Sequence, residues 1–318
     1  MIKQKIAKYD LVTVGGITRD ILFYSKEGEL VNVGQTVKQK LLAFEYGAKI
    51  YADRVFMEFG GGADNVAIAS SRLGLKSALI ARIGDDENGQ SAIKNLKDNR
   101  VDFSYLKKDT ASRTGFSVVL TVNNTAKEHV AFLHRGANEF LSAKDLPENL
   151  ETNWIYIASL PKNGWEAIMT KIIKMKKNLV WNPGKQQLED LPKLKKFLPS
   201  VKIFIVNHEE ASEFKKLKDI KSLITHIKAC GPELVIITDG EKGAYAHDGK
   251  KYYFIKAKKT KPVNTLGVGD AFGASLTSAF ICGKNIKTAL EWGIKNSASV
   301  VGHIGAQKGL LSKKQIER

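Results

Sequence analysis

Short apolar runs ending on glycine or a small polar residue recur along this chain, with helix-patterned segments between them. Asp10-Leu11-Val12-Thr13-Val14-Gly15-Gly16 is the first, and residues 154–159, 179–182, 202–207 and 234–238 repeat the form. Residues 165–176 and 211–216 carry the helical period between them. A strand apolar on both faces must be covered on both, so the alternation predicts an α/β fold: a mostly parallel central sheet with helices on both sides. Ligands of such sheets gather at the carboxyl ends of the strands. Asn182, Asn207, Glu210 and Thr238 fall there.

Two stretches break the rhythm. Within 21–58, Leu22-Phe23-Tyr24 and the alternating Lys49-Ile50-Tyr51-Ala52 read as short strands. Within 110–134, residues 115–122 and 128–133 add two more, joined by the turn-forming Asn123-Asn124. Together they predict a small β-sheet beside the core, serving as a lid, an interface or both. No repeat or disordered linker interrupts the chain, so 1–318 reads as a single domain with the lid segments inserted.

Composition narrows the functional classes. With 318 residues and 43% hydrophobic content there is enough material for one large core. No apolar run approaches a membrane span, and Met1-Ile2-Lys3-Gln4-Lys5 does not lead into a signal-peptide core, so no membrane partner is expected. Cys230 and Cys282 lack metal or redox spacing, which makes a cytoplasmic location the default. The net charge of +17 invites a nucleic-acid reading, but only 8 of the 50 basic residues are arginines and no recognition module is evident. The densest lysine run, 250–261, surrounds the strand-like Tyr252-Tyr253-Phe254-Ile255 and reads as a solvated face or a lysine-protected sheet edge. No nucleic-acid partner is expected, although such a surface would also attract nucleotides and phosphosugars.

Two glycine-rich stretches carry the chemistry. In Val263-Asn264-Thr265-Leu266-Gly267-Val268-Gly269-Asp270-Ala271-Phe272, two glycines precede an acid and a proline-free run of small and apolar residues that reads as a buried helix. Free N–H groups and the positive helix end suit an anion there, and glycine lets it approach. An acid at Asp270 would repel a bound anion, yet it makes sense beside a hydroxyl about to attack phosphorus. By itself the segment is equally a loop and an N-cap. In Phe59-Gly60-Gly61-Gly62-Ala63-Asp64-Asn65, three glycines run into a helix ending near Leu73, and Asn65 offers both a donor and an acceptor. Alone, it reads as a tight turn with Asp64 or Asn65 as a helix cap.

As an ordered pair these stretches resemble the two signatures of the ribokinase-like, PfkB-type carbohydrate kinases, and the order and spacing of nearly the whole chain fit that family. The resemblance implies a three-layer ribokinase-like fold with a β-sheet lid. It implies a cytoplasmic enzyme that moves the γ-phosphoryl of ATP, with Mg2+, to a hydroxyl of a sugar or, alternatively, a nucleoside. A relative that binds a sugar or nucleotide without catalysis is the reading from another class. Residue by residue, the sugar-contacting positions match Asp20, Gly60, Gly61 and Asn65. The NxxE element matches Asn207 and Glu210, with Glu210 organising Mg2+ through water. The nucleotide-binding TxGxxG matches Thr238, Gly240 and Gly243. The anion hole matches Gly267, Val268 and Gly269, and the catalytic base matches Asp270. Gly136-Ala137-Asn138 resembles another recurrent element, at the return from the lid. Considered singly, Asp20 could be a surface acid, Glu209 and Glu210 an acidic first helical turn, and Thr238-Asp239-Gly240 a turn. The motif departs from the family's: Val268 replaces an Ala, and Asn264 stands where an Asp commonly helps hold a monovalent cation. Asn keeps an oxygen but loses the charge, which leaves potassium activation open. Lid strands of this fold often pair between subunits, implying a possible homodimer. Phe23, Tyr24, Phe44 and Tyr46 could wall a nucleobase or form lid core. Arg113 or Arg135 could meet an anion or pair with an acid, and Asn296 lies in a late helix in uncertain register toward adenine.

Overall fold

The computed structural model describes residues 8–33, 39–122, 129–217 and 219–318. Met1 to Lys5, the Asn123-Asn124 turn and Glu128 lie outside them.

The central sheet has eight strands, in the order Tyr252–Lys256, Gly243–His247, Leu234–Thr238, Ile203–Asn207, Asn178–Trp181, Trp154–Ile157, Leu11–Val14, Ser77–Ile80. The six from Leu234–Thr238 to Ser77–Ile80 are parallel, and the other two are antiparallel. Every predicted core strand is present, with ends that match or move by a residue or two. Alternate strand residues serve two cores. Leu11, Tyr156, Val180 and Ile236 pack on one side with helices Gly62–Arg72, Glu87–Asp98, Val268–Ile281 and Ile286–Val300. Val12, Ile157, Trp181, Phe204 and Ile237 pack on the other with Trp165–Lys174, Leu191–Phe197, His208–Phe214 and Ile220–Lys228. The result is the expected three layers. The lysine-flanked strand Tyr252–Lys256 is an edge, as its charge pattern predicts.

Helix Val268–Ile281 runs through the first core and is buried from Ala271 to Ala279. Its small residues permit very close packing. A Cβ on Gly273 would stand 2.3 Å from the Tyr156 hydroxyl, and one on Gly293 of the neighbouring helix 2.7 Å from the Phe272 ring.

A second sheet of four strands, in the order Val130–His134, Gly115–Val122, Thr18–Ser25, Arg54–Gly60, is built from the segments expected as a lid and is termed the lid sheet. Here the structure corrects the sequence reading. Lys49-Ile50-Tyr51-Ala52 is not a strand. The strand is Arg54–Gly60, pairing antiparallel with Thr18–Ser25 from Thr18↔Gly60 to Tyr24↔Arg54. Residues 49–52 alternate but are exposed and pair with no strand, whereas Val55, Met57 and Phe59 on one face of their strand and Phe56 on the other make an apolar run that does not alternate. The first segment of this sheet therefore begins at Thr18 and extends to Gly60, and its two strands hold Asp20 and deliver the chain into helix Gly62–Arg72.

The lid sheet has two unlike faces. Asp20, Leu22, Tyr24, Ser117 and Val119 point inward, where Leu22 and Tyr24 meet Phe56, Leu266 and Ile304. The outer face aligns Ile21, Met57, Val118 and Phe132 in one row.

Candidate active site

Asp270 sits in the first turn of helix Val268–Ile281, whose N-cap is Gly267. Asn65 sits in the first turn of helix Gly62–Arg72. The two helices converge so that Asn65 Nδ2 donates to Asp270 Oδ2 at 2.7 Å, joining residues 205 positions apart. Burial raises the Asp270 pKa above the ordinary carboxylate range; the Asn65 hydrogen bond opposes the rise and the charge on Asp20 adds to it. A base of raised pKa accepts a proton more readily.

The glycines around this pair are required by close approach. A Cβ on Gly60 would fall 2.0 Å from Asp20 Oδ2. Gly61 has φ +94°, and a Cβ there would meet Gly16 O at 2.5 Å. A Cβ on Gly62 would stand 3.3 Å from Asp270 Oδ1. Asp20 itself is buried and accepts from Ser117 Oγ at 2.7 Å and Thr18 Oγ1 at 3.0 Å. Burial raises its pKa, against those two hydrogen bonds. Asn138 braces this corner: its amide donates to Ile17 O at 2.7 Å and accepts from Ile17 N at 3.1 Å. Asp20, Gly60, Gly61, Asn65 and Asp270 are thus brought together.

On the other side of the Gly267–Gly269 turn lies a cleft of about 820 Å³. Gly240, Ala257, Pro262, Val268, Ala298 and Val301 line it, with Lys256, Lys258, Lys259 and Lys261 at its margin. Gly267 has φ +70°, and its Cβ would collide with Ala306. A Cβ on Gly269, by contrast, would meet nothing within 4 Å among the described residues. No packing demand explains Gly269, which leaves room above the helix N-terminus for a ligand.

The remaining predicted residues are placed unequally. Asn207 and Glu210 form a capping box: Asn207 Oδ1 accepts from Glu210 N, and Glu210 Oε2 accepts from Asn207 N, both at 2.8 Å. This leaves Glu210 Oε1 free of that cap. The Glu210 pKa is raised by burial, with the neighbouring Glu209 and Asp270 charges adding to it. Thr238 ends its strand and Gly240 lines the cleft, but Gly243 is a hairpin residue, with φ +128° and Ile255 O only 2.0 Å from its Cβ position. Asn264 is buried; its Oδ1 accepts from Leu266 N at 2.9 Å, and its Nδ2 faces the Tyr24 hydroxyl at 3.4 Å. The amide closes a local turn and ties it to the lid.

Several residues read differently in three dimensions. Asp64 caps no helix; it is fully buried, and desolvation together with the charges on Asp20 and Asp270 pushes its pKa up to about 8, against the Gln307 hydrogen bond. Asn296 faces neither cleft; it donates to Ser275 Oγ and accepts from Leu311 N, locking two helices to the C-terminal segment. Arg135 is spent on Leu160 O, Ser159 Oγ and Glu139, and Arg113 lines a separate hollow with Asp86. The four aromatics do not form one wall: Phe23 and Tyr24 point to opposite lid faces, and Tyr46 is wholly exposed. Sequence reasoning missed the cleft residues Ala257, Pro262, Ala298 and Val301, which carry no motif, and Gln307, which lies more than two hundred residues from the groups it touches.

Known proteins resemble this chain along most of its length. The pfkB family carbohydrate kinase model matches residues 27–313. The ATP-dependent 6-phosphofructokinase of Thermoanaerobacterium thermosaccharolyticum is 25% identical over 305 residues, 90% of this chain and 92% of the relative. The ribokinase of Bacillus subtilis is 25% identical over 264 residues, 81% of this chain and 86% of the relative. Among solved structures, the nucleoside kinase of Methanocaldococcus jannaschii superposes with a TM-score of 0.78 at 21% identity, covering 98% of each chain. A candidate ribokinase II from E. coli, in complex with ATP and Mg2+, superposes with a TM-score of 0.78 at 18% identity, covering 97% of each chain. These establish a ribokinase-like fold. Among the described residues, no helix is long and apolar enough to cross a membrane.

Proposed function

The chain belongs to the pfkB family of carbohydrate kinases, and from that premise we propose that it transfers the γ-phosphoryl of ATP to a primary hydroxyl of a sugar, with Asp270 as the base. Its whole length acts as one kinase domain, closed by the lid segments. The observation that carries this reading is the Asn65–Asp270 hydrogen bond, which joins the two glycine motifs between the lid corner and the cleft.

Asp20 and Asn65 orient the acceptor, Asp270 Oδ1 takes its proton, and the N–H groups of Gly267, Val268 and Gly269 face the charge on the moving phosphoryl group. The apolar walls of the cleft accept the base of the nucleotide, with Thr238 and Gly240 at its edge; the lysines attract its phosphates. When bound, ATP with Mg2+ supplies the phosphoryl group and offsets the triphosphate charge. Mg2+ fits the residues present. It prefers waters and substrate phosphates to an all-protein cage. No group of three acids or histidines suited to a metal occurs among the described residues, and Glu210 keeps one oxygen free to hold a coordinated water. Asn264 disfavours a monovalent cation: it brings no charge, its oxygen already accepts from Leu266, and its NH2 faces Tyr24. The dispersal of Phe23, Tyr24 and Tyr46 supports a sugar over a nucleoside as acceptor. The test is ADP release from ATP and Mg2+ with a panel of neutral sugars, phosphosugars, keto-acids and nucleosides. A neutral sugar should be turned over best, at equal rates in potassium and sodium salts. No ADP release with any acceptor would end the proposal.

The outer lid face supports a homodimer. Met57 is 62% exposed, Phe132 61% and Val55 47%, around the less exposed Ile21, Phe23 and Val118. A contiguous apolar sheet face of this kind is ordinarily covered. Sedimentation should show a dimer that Phe132→Asp converts to monomer. A wild-type monomer at micromolar concentration would count against it.

A further inference from the structure

Asn65 can serve the base only if its amide presents NH2, not oxygen, to Asp270. The two ends of an asparagine amide have the same shape, so packing alone does not choose between them. The choice is made by a chain of hydrogen bonds that runs away from the site. Arg72 Nε donates to Asn99 Oδ1 at 3.0 Å. Asn99 Nδ2 donates to Asn95 Oδ1 at 3.2 Å, and Asn95 Nδ2 to Gln307 Oε1 at 2.9 Å. Gln307 Nε2 donates to Asn65 Oδ1 at 3.1 Å, and Asn65 Nδ2 to Asp270 Oδ2 at 2.7 Å. Four amides in series all point the same way.

Both ends enforce that direction. A guanidinium can only donate and a carboxylate can only accept. Turning any one amide would set oxygen against oxygen and N–H against N–H, at both its contacts. Gln307 Nε2 also donates to Asp64 Oδ2 at 2.7 Å, so the same NH2 serves two oxygens. Arg72 grips the same loop again through its donation to Gln307 O at 3.0 Å. The chain crosses four elements: helix Gly62–Arg72, the end of helix Glu87–Asp98, the C-terminal loop and the first turn of helix Val268–Ile281. Aligned bonds of this kind polarise one another.

We propose that Gln307 and Asn95 are positioning residues, which act through Asn65 to hold Asp270 Oδ2 and leave Oδ1 toward the acceptor. This rests on the kinase reading above. Neither residue touches the reacting atoms.

Asn95→Asp tests it. The new carboxylate accepts only, so it sets oxygen against Gln307 Oε1; turning Gln307 relieves that clash and carries its oxygen toward Asn65, reversing the last two links. Asn95→Ala removes one link and reverses nothing. The Asp variant should lower kcat about 10- to 100-fold, as expected for a displaced catalytic group, with KM for ATP within about twofold; the Ala variant should lose less than about threefold. A nuclear magnetic resonance readout is independent of turnover. The side-chain NH2 signals that vanish in Asn65→Ala should shift upfield in Asn95→Asp and hold their place in Asn95→Ala. Equal kcat losses in the two variants, with those signals unmoved, would overturn the proposal. If the wild type phosphorylates no acceptor, the kinase reading fails, and the NH2 signals still decide whether the chain is directional.

Discussion

Asp270→Asn is expected to lower kcat by about 10²- to 10⁴-fold, the range a positioned general base supplies, while ATP still binds. The substitution keeps size and polarity but removes the lone pair that accepts the hydroxyl proton. In Asp270 that lone pair is made more basic first by burial and then by the nearby Asp20, with Asn65 partly restraining the effect. The base works in its charged form. Its activity is therefore present above the raised pKa and is lost as pH falls through it, so the acid limb of kcat/KM should lie above the usual carboxylate range. The residual activity of Asp270→Asn should lack that limb. Calorimetric ATP affinity with single-turnover kinetics across pH would check both parts. Undiminished turnover would remove Asp270 from the mechanism.

Gly267→Ala should be nearly as damaging, for a different reason. Its φ of +70° disfavours any side chain, at about 1–2 kcal/mol, and its Cβ would lie 2.4 Å from Ala306 Cβ and 3.0 Å from Ala306 O. The loop must move, and the N–H groups at the helix start move with it. Loss of one such donor costs about 10²- to 10³-fold in kcat, and the thermal midpoint should fall as well. Gly269→Ala makes the contrast. Its Cβ enters open space, so the midpoint should hold while the methyl crowds the anion and the rate falls. Thermal melts and kcat measured on both variants separate the roles. Wild-type kcat in Gly269→Ala would mean that the phosphoryl group is not held at this turn.

Much of the fold could be read in advance because its signals are local. Apolar runs ending in glycine or asparagine marked the parallel strands, and both glycine motifs proved to be helix starts. The strand at 49–52 failed because alternation records amphipathic pattern, not the presence of a partner; Arg54–Gly60 found one in Thr18–Ser25. Glu210 was legible as an acid in a first helical turn, but its reciprocal cap with Asn207 depends on geometry the spacing only permits. Asn264 was legible as a departure, and only the buried turn around it revealed that its amide is already engaged.

The sequence by itself determined which backbone could approach a ligand: glycines at 60, 61, 267 and 269 and a carboxylate at 270 are fixed by residue type. The tertiary structure decided what those groups face. It set Asn65 against Asp270 across 205 positions, buried Asp64 until its pKa is pushed up to about 8, and brought Gln307 Nε2 onto the Asn65 oxygen. Residue type sets what a group can donate, accept or ionise; only desolvation and long-range proximity set whether, and toward what, it does so.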